Sequence, residues 1–486
     1  MTLLDTTTPE PVSPPASNPT PPSRIGWFGQ LLLRLHFYAG IFIGPFILIA
    51  ALSGALYAVS PQIEQVVYDK ELHAPAAATY LPLADQVEAA NAYLNNTESP
   101  VAVRPAPKPG DTTRVMYAGE NLGSSETRAI FIDPATAEVR GDLTAYGTSG
   151  ALPLRNWVSQ VHRNLHLGEP GRIYSELAAS WLGIIALAGL GLWIMRISKT
   201  RRKKDLLRPN HKAKGYRRLA SWHGSLGIWI LLGAVFLSIT GITWSTYGGA
   251  NVGDLRTAMN WGTPSVSTSL ADAPETPGSD HAHHAAAAPS TGPVNSAAFD
   301  TMLSIAREVN VNTGLVEIKP PAAEGKAWVV KEIQASYPTE VDAVSINGQT
   351  LDVVDRVDFK DFNLAAKLTR WGIDTHMGSM FGLPNQIVLF LLASSIATLV
   401  ILGYRMWWTR RPTKNPAQRM GNPPARGALR RAPWWGTILV LIVAAGIGLF
   451  LPLMGISLAA FVVVDFVLMQ IKAKGRDPKT LSRSTI

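Results

Sequence analysis

Residues 374–411 read DTHMGSMFGLPNQIVLFLLASSIATLVILGYRMWWTRR: a histidine, an uncharged apolar run from Met380 to Tyr404, then Arg405, Arg410 and Arg411. A run of this length exceeds the ~20 residues that cross a ~30 Å hydrocarbon core, so the stretch predicts a membrane-spanning helix. Three more runs have the same form: Leu35–Val59, Ile173–Ile194 and Trp222–Tyr247. Two further runs, Trp435–Leu451 and Gly455–Ile471, are separated only by Pro452-Leu453-Met454 and predict a tight helical hairpin.

The composition agrees with these runs. Of 486 residues, 47% are hydrophobic and 16% charged, where a soluble protein carries about 25% charged. The net charge of +9 does not point to nucleic acid, because the basic residues cluster just beyond the ends of apolar runs, where topology explains them. With no cysteine, disulfides, iron–sulfur clusters, thiol redox chemistry and covalent c-type haem are excluded. Residues 1–23 are rich in Pro, Ser and Thr and predict a disordered tail. No basic segment precedes a short apolar run and cleavage site, so no removable signal peptide is expected.

Lys and Arg set the expected orientation. Segment 198–218 carries ten basic residues against Asp205, segment 405–432 eight and no acid, and tail 472–486 five against Asp477. Segment 61–171 has eight basic and thirteen acidic residues, and 248–375 has nine and sixteen. Positive residues stay inside, so both termini and the short basic loops are expected in the cytoplasm and the two long segments outside.

The expected organisation is a cytoplasmic tail (1–23), span one (24–60), a first outer module (61–150) and an interfacial histidine segment with span two (151–197). A basic loop (198–218), span three (219–247), a second outer module with a histidine-rich loop (248–370) and span four (371–405) follow. A second basic loop (406–433), the hairpin (434–471) and a tail (472–486) complete the chain. The first outer module predicts a helix at Leu83–Leu94, strands at Thr113–Tyr117 and Arg128–Asp133, and a strand–turn–strand at Asp133–Val139. The second predicts a helix at Phe299–Val309, strands at Gly314–Ile318 and Ala327–Gln334, and a hairpin at Asn347-Gly348. Span, outer module, span is thus repeated once.

Five of the ten histidines sit at ends of the first four spans. His36 and His223 lie at the cytoplasmic ends of spans one and three; His162 and His166 precede span two and His376 precedes span four, on the outer side. Ionisable residues at the membrane are costly and by default suggest function, and imidazole is the usual axial ligand of a b-type haem held between helices. Gly40 and Gly44 follow His36 on one helical face, and Gly227 follows His223, leaving room for a flat macrocycle. Arg34, Arg217 and Arg218 on one side, and Arg163, Arg172 and Arg370 on the other, offer cations for propionates. Each feature has a plainer reading. A lone span-end histidine is an interfacial anchor, Gly40–Gly44 and Gly378–Gly382 are helix-packing motifs, and arginine at a span end marks topology. The haem reading rests on the set, one histidine group per span, matched by face. His73 and His211 read as surface residues, and His281, His283 and His284 fall in a Pro/Ala/Ser-rich loop with weak metal-binding character.

Four stretches stand out together: Leu35–Gly40 with Ser53–Leu56, Val161–Gly168 with Gly171-Arg172, His223–Gly227, and Asp374–Gly378 with Phe381-Gly382. In these the chain resembles the PepSY-associated transmembrane family of bacterial inner-membrane proteins, over roughly residues 30–410. The resemblance implies a helical integral membrane protein with a four-helix haem-binding core, a C-terminal helical hairpin and two small α+β PepSY-like extracytoplasmic modules. It further implies two haem b, one on His36 and His223 and one on His162 and His376, with His166 as an alternative ligand or substrate contact. Members resemble ferric-siderophore reductases. The implied partners are a ferric siderophore or other ferric chelate outside, a cytoplasmic or quinol electron donor, and membrane lipid. No nucleotide-binding fingerprint lies in a strand–helix context, so nicotinamide or flavin is expected on another protein. The rival from a different class is a haem-free module that binds or restrains a protease or other envelope partner. A transporter is disfavoured, since the spans lack buried acids apart from Glu176 and Asp465.

Overall fold

The computed structural model describes residues 26–123, 125–198, 206–270, 294–410, 424 and 426–474. The expected N-terminal tail, the loop of His281, His283 and His284, and much of both basic loops and the C-terminal tail lie outside them.

The first half runs α1 (Trp27–Phe42), α2 (Gly44–Val67), α3 (Asp69–Leu72), α4 (Leu83–Tyr93), β1 (Pro100–Arg104), β2 (Thr113–Tyr117), β3 (Glu126–Ile132), β4 (Val139–Tyr146), α5 (Pro153–Asn164) and α6 (Glu169–Ile197). The second half runs α7 (Gly215–Thr243), α8 (Tyr247–Ala258), α9 (Ala297–Val309), β5 (Val316–Lys319), β6 (Trp328–Glu332), β7 (Ala343–Ile346), β8 (Val353–Val357), α10 (Leu364–Met377) and α11 (Leu383–Thr409). The chain closes with α12 (Trp434–Phe450) and α13 (Pro452–Lys474). The two halves share one plan, with one helix more in the first because its spanning run is split into α1 and α2.

Among the described residues four helices, α2, α6, α7 and α11, are long and apolar enough to cross a membrane. Each continues past its apolar run at one end or both (Val67 of α2, both ends of α6, Gly215 of α7 and Thr409 of α11), because backbone hydrogen bonding continues the helix where side chains turn polar. The first run is split between α1 and α2 at Ile43, where Pro45 in the first turn of α2 has no N–H to continue the ladder. The four pack in a ring: α2 against α11, α11 against α7, α7 against α6, and α6 against α1 and α2. Small residues permit the approach. A Cβ on Gly233 would lie 2.7 Å from Leu392 Cδ2, and Gly183 N donates to Ser238 Oγ at 3.1 Å.

The two acids that the sequence places within the apolar runs, Glu176 and Asp465, are both satisfied. Glu176 accepts from Tyr247 N and Gly248 N, each at 2.9 Å, and so neutralises the positive end of α8. Asp465 in α13 pairs with Arg34 at 2.9 Å and Arg426 at 3.1 Å. Helices α12 and α13 form the expected hairpin, and a Cβ on Gly455 would meet the Gly448 carbonyl at 2.7 Å.

The segments between spans differ from the expectation of two separate modules. They pair edge to edge into one eight-stranded sheet, β4-β3-β2-β1-β5-β6-β7-β8, joined where Val103 of β1 lies opposite Ile318 of β5. Strand β1 was not foreseen. Helices α4 and α9 cover one face over a common core that includes Val87, Val103, Phe299 and Ile318. Asp300 of α9 accepts from Leu83 N and Ala84 N of α4, both at 2.8 Å, capping the helix of the other half.

The turn at Asn347 is also not the two-residue hairpin expected. It spans six residues and copies the turn at Asp133. Asp133 N donates to Glu138 O and Asn347 N to Asp352 O, both at 2.9 Å, with Ala137 and Leu351 at positive φ. Asn347 Oδ1 accepts from Gln349 N at 2.9 Å as Asp133 Oδ1 does from Ala135 N at 2.8 Å. Gly348 is there for close approach, since a Cβ would lie 2.7 Å from Trp328 Nε1.

Candidate functional site: two histidine pairs

The bundle brings four span-end histidines together as two pairs. His36 on α1 and His223 on α7 have ring centroids 6.0 Å apart at an interplanar angle of 87°. At the sheet end, His162 on α5 and His376 on α10 are 6.5 Å apart at 60°. Two imidazoles ligating one metal ion at ~2.0 Å through nitrogen would have centroids roughly 6.3 Å apart, so each gap fits a single iron. Along α7, the seventeen residues from His223 to Thr240, which touches His376, rise roughly 25 Å. The pairs thus sit near opposite ends of the bundle.

Local sequence positions the second pair. Helix α5 ends at Leu165 and His166, both at positive φ, and turns through Gly168 into α6, which has Pro170 in its first turn. Helix α10 begins at Asn363, whose side chain accepts from Ala366 N at 2.8 Å, and turns through Gly378 and Gly382 into α11, which has Pro384 in its first turn. Gly378 and Gly382 have φ of 80° and 58°, so they make this turn and are not the helix-packing motif the sequence suggested.

The hydrogen bonds favour one tautomer. His36 Nδ1 lies 2.9 Å from the Ile185 carbonyl, which only accepts, so this nitrogen carries the proton. His162 Nδ1 lies 3.0 Å from Ser53 Oγ, and His376 Nδ1 2.5 Å from Thr240 Oγ1. Both hydroxyls already donate to carbonyls of their own helix, Ile49 O and Phe236 O, both at 2.8 Å, and are left to accept. In all three rings the Nε2 lone pair remains for a metal, the arrangement in which an outer hydrogen bond orients a ligand. Among the described residues, His223 Nδ1 is buried with no hydrogen bond of good geometry.

Glycines on neighbouring spans clear the rings. A Cβ on Gly189 would lie 3.1 Å from His36 Cε1, and one on Gly54 3.2 Å from His162 Cε1. Neither role was foreseen; the signal was a glycine on an adjacent span at matching depth. Gly40 has nothing within 4 Å of a Cβ position and Gly227 only Leu399 at 3.9 Å, so the space expected beside both is present. Gly44 instead packs on Tyr404 and Val400.

The remaining candidates divide. His166 is exposed, with Nε2 3.0 Å from Trp157 O and its ring 5.2 Å from the Trp157 ring, and it does not join the His162–His376 pair. Arg34 is buried, bonded to Asp465 and to Pro424 O at 2.8 Å, so it ties α1 to the hairpin where a propionate contact was expected. Arg163 donates to Tyr146 Oη at 2.6 Å and Arg172 to Trp244 O at 2.8 Å. Arg370 pairs with Asp374 at 2.8 Å. Arg217 and Arg218 are exposed at the start of α7, one to two turns before His223. Beside the His162–His376 pair, in the turn after His376, Met377 accepts from Tyr57 Oη at 3.7 Å and Met380 is buried against Thr339.

Comparison with curated proteins finds none that matches the chain. The family model described as the PepSY-associated TM region matches residues 33–410, which span both histidine pairs and the whole sheet. The chain is a membrane protein that belongs to the family of the PepSY-associated TM region.

Proposed function

We propose that this protein is a haem-b electron-transfer protein of the bacterial inner membrane that reduces an extracytoplasmic acceptor, a ferric siderophore, releasing Fe(II) for uptake. The observation that carries this reading is the pair of histidine gaps, 6.0 and 6.5 Å between ring centroids, near the two ends of one four-helix bundle. Two haem b would be held by His36 with His223 and by His162 with His376, and each would supply a one-electron ferric/ferrous couple.

The chain's own residues orient and enclose these sites. Ile185 O, Ser53 Oγ and Thr240 Oγ1 hold three rings with Nε2 available. Gly40 and Gly227 leave room along the helices that carry His36 and His223. Trp244 and Phe236 close on His376, with ring centroids at 5.3 and 6.5 Å. With the basic loops and both termini in the cytoplasm, an electron from a quinol or cytoplasmic donor would move outward. Movement in that direction is favoured by ~2.3 kcal/mol per charge per 100 mV of interior-negative potential. A ferric chelate that takes up one electron becomes Fe(II), which hard oxygen donors bind less tightly, so iron leaves an intact chelator.

The test is an absorption spectrum of the detergent-purified protein, oxidised and dithionite-reduced, with haem quantified per chain as the pyridine haemochrome. Two b-type haems per chain, reoxidised by ferric chelates, support the reading. Absence of haem after expression with ample haem supply overturns it and leaves a partner-binding envelope module.

A further inference from the structure

Two buried glutamates in the sheet have opposite surroundings. Glu317, 2% exposed, is met by Arg104 at 2.6 Å, Lys331 at 3.1 Å and Lys319 at 3.4 Å. Glu332, equally buried, has no cation within ion-pair distance among the described residues. Its Oε1 accepts from Asn312 N at 2.6 Å and Thr313 N at 2.7 Å, while its Oε2 is buried with no hydrogen-bond partner. Two more carboxylates converge on it. One oxygen from each of Glu332, Glu340 and Asp342 lies within 4.8 Å of the others.

A buried carboxylate oxygen that lacks a donor and faces two further acids is a costly arrangement unless a cation joins it. Arg356 and Lys360, the nearby bases, are both committed to Asp358, at 2.7 and 3.1 Å. Two oxygens on one calcium ion at ~2.4 Å each are at most about 4.8 Å apart, and the three oxygens lie within that limit; a set of carboxylates completed by water suits this hard cation. Glu340 is half-buried and opens the cluster to solvent, so water can complete the shell.

We propose that Glu332, Glu340 and Asp342 form a calcium site at the base of the β6–β7 hairpin. The site closes a loop that reaches the second histidine pair. Tyr337 N donates to Met380 O at 2.8 Å, and Thr339 Oγ1 to Met380 Sδ at 3.9 Å, on the turn that follows His376. A bound ion fixes both ends of the loop and so braces that turn. The inference is independent of haem.

The test uses the full chain in detergent, with CaCl₂ in isothermal titration and Tb³⁺ luminescence as a second probe. One saturable site per chain is expected, with hydrogen exchange slowed across 333–341 and binding abolished in the double variant E340Q/D342N. Glu340→Gln alone, at a half-exposed position, is expected to weaken binding at least tenfold and serves if the double variant does not fold. No saturable binding below about 10 mM, beyond the weakest extracellular calcium sites, overturns the proposal. Binding unchanged in Glu340→Gln also overturns it.

Discussion

The rings of His36 and His223 lie 6.0 Å apart, edge to face, although the residues stand on α1 and α7, in different halves of the duplicated chain. The same holds for His162 and His376 at 6.5 Å. Each gap is bordered by one ring from each half, so neither half alone builds a site.

Removing one ring is therefore expected to empty one site only. His36→Ala and His223→Ala should each reduce haem from two to one per chain, as should His162→Ala and His376→Ala, in pyridine haemochrome measurements. His166→Ala should leave two, because His166 packs on Trp157. Loss of haem in His166→Ala with retention in His162→Ala would reverse the assignment.

Gly189 is expected to matter for the same site from a distance in sequence. Gly189→Leu puts branched carbons where a single Cβ already lies 3.1 Å from His36 Cε1. Haem should fall toward one per chain while the helix content by circular dichroism is kept. Gly446→Leu, at a glycine with nothing within 4 Å, is the control and should change neither.

Glu317 links stability to pH. Burial alone would raise its carboxyl, but Lys331, Arg104 and Lys319 outweigh this and hold it well below the ordinary carboxylate range. A depressed folded value means the contribution is present above an unfolded value of about 4.3 and is lost as pH falls through the folded one. Thermal unfolding followed by tryptophan fluorescence should show stability declining below about pH 4 in the wild type. Glu317→Gln should lose about 3–5 kcal/mol near neutrality, since it leaves three cations unpaired around a buried position, and should lack that acid-dependent component.

Asp300 tests the joint between the halves. Asp300→Ala removes both acceptors from the first turn of α4 and should cost about 1–2 kcal/mol. Differential scanning calorimetry of the full chain measures it, with Asp300→Asn expected to recover part of the loss. No change in either variant would mean that water caps α4 equally well.

Much of the fold is readable locally. The apolar runs predict spans because lipid must be met by some twenty apolar side chains in succession. The strand at Thr113–Tyr117 and the helix at Leu83–Tyr93 follow from periodicity and turn residues. The starts of α6 and α7 do not, because their first turns, Glu169–Arg172 and Gly215–Arg218, are polar and leave no mark in hydropathy. The Asn347-Gly348 pair misleads for a related reason: a two-residue turn is the local preference, but Trp328 fills the place of a Gly348 Cβ and Asn347 caps a longer loop.

By itself the sequence determined that the chain is a membrane protein with a repeated plan and histidines at span ends, because hydropathy, charge and spacing act over one or two helical turns. Only the tertiary structure decided that β1 meets β5 at Val103 and Ile318, that His162 rather than His166 faces His376, and that Arg34 is held by Asp465. Each of these joins residues more than two hundred positions apart. Pairing over such separations depends on which partner the packed helices bring within a few ångströms, and no local pattern of residues encodes that choice.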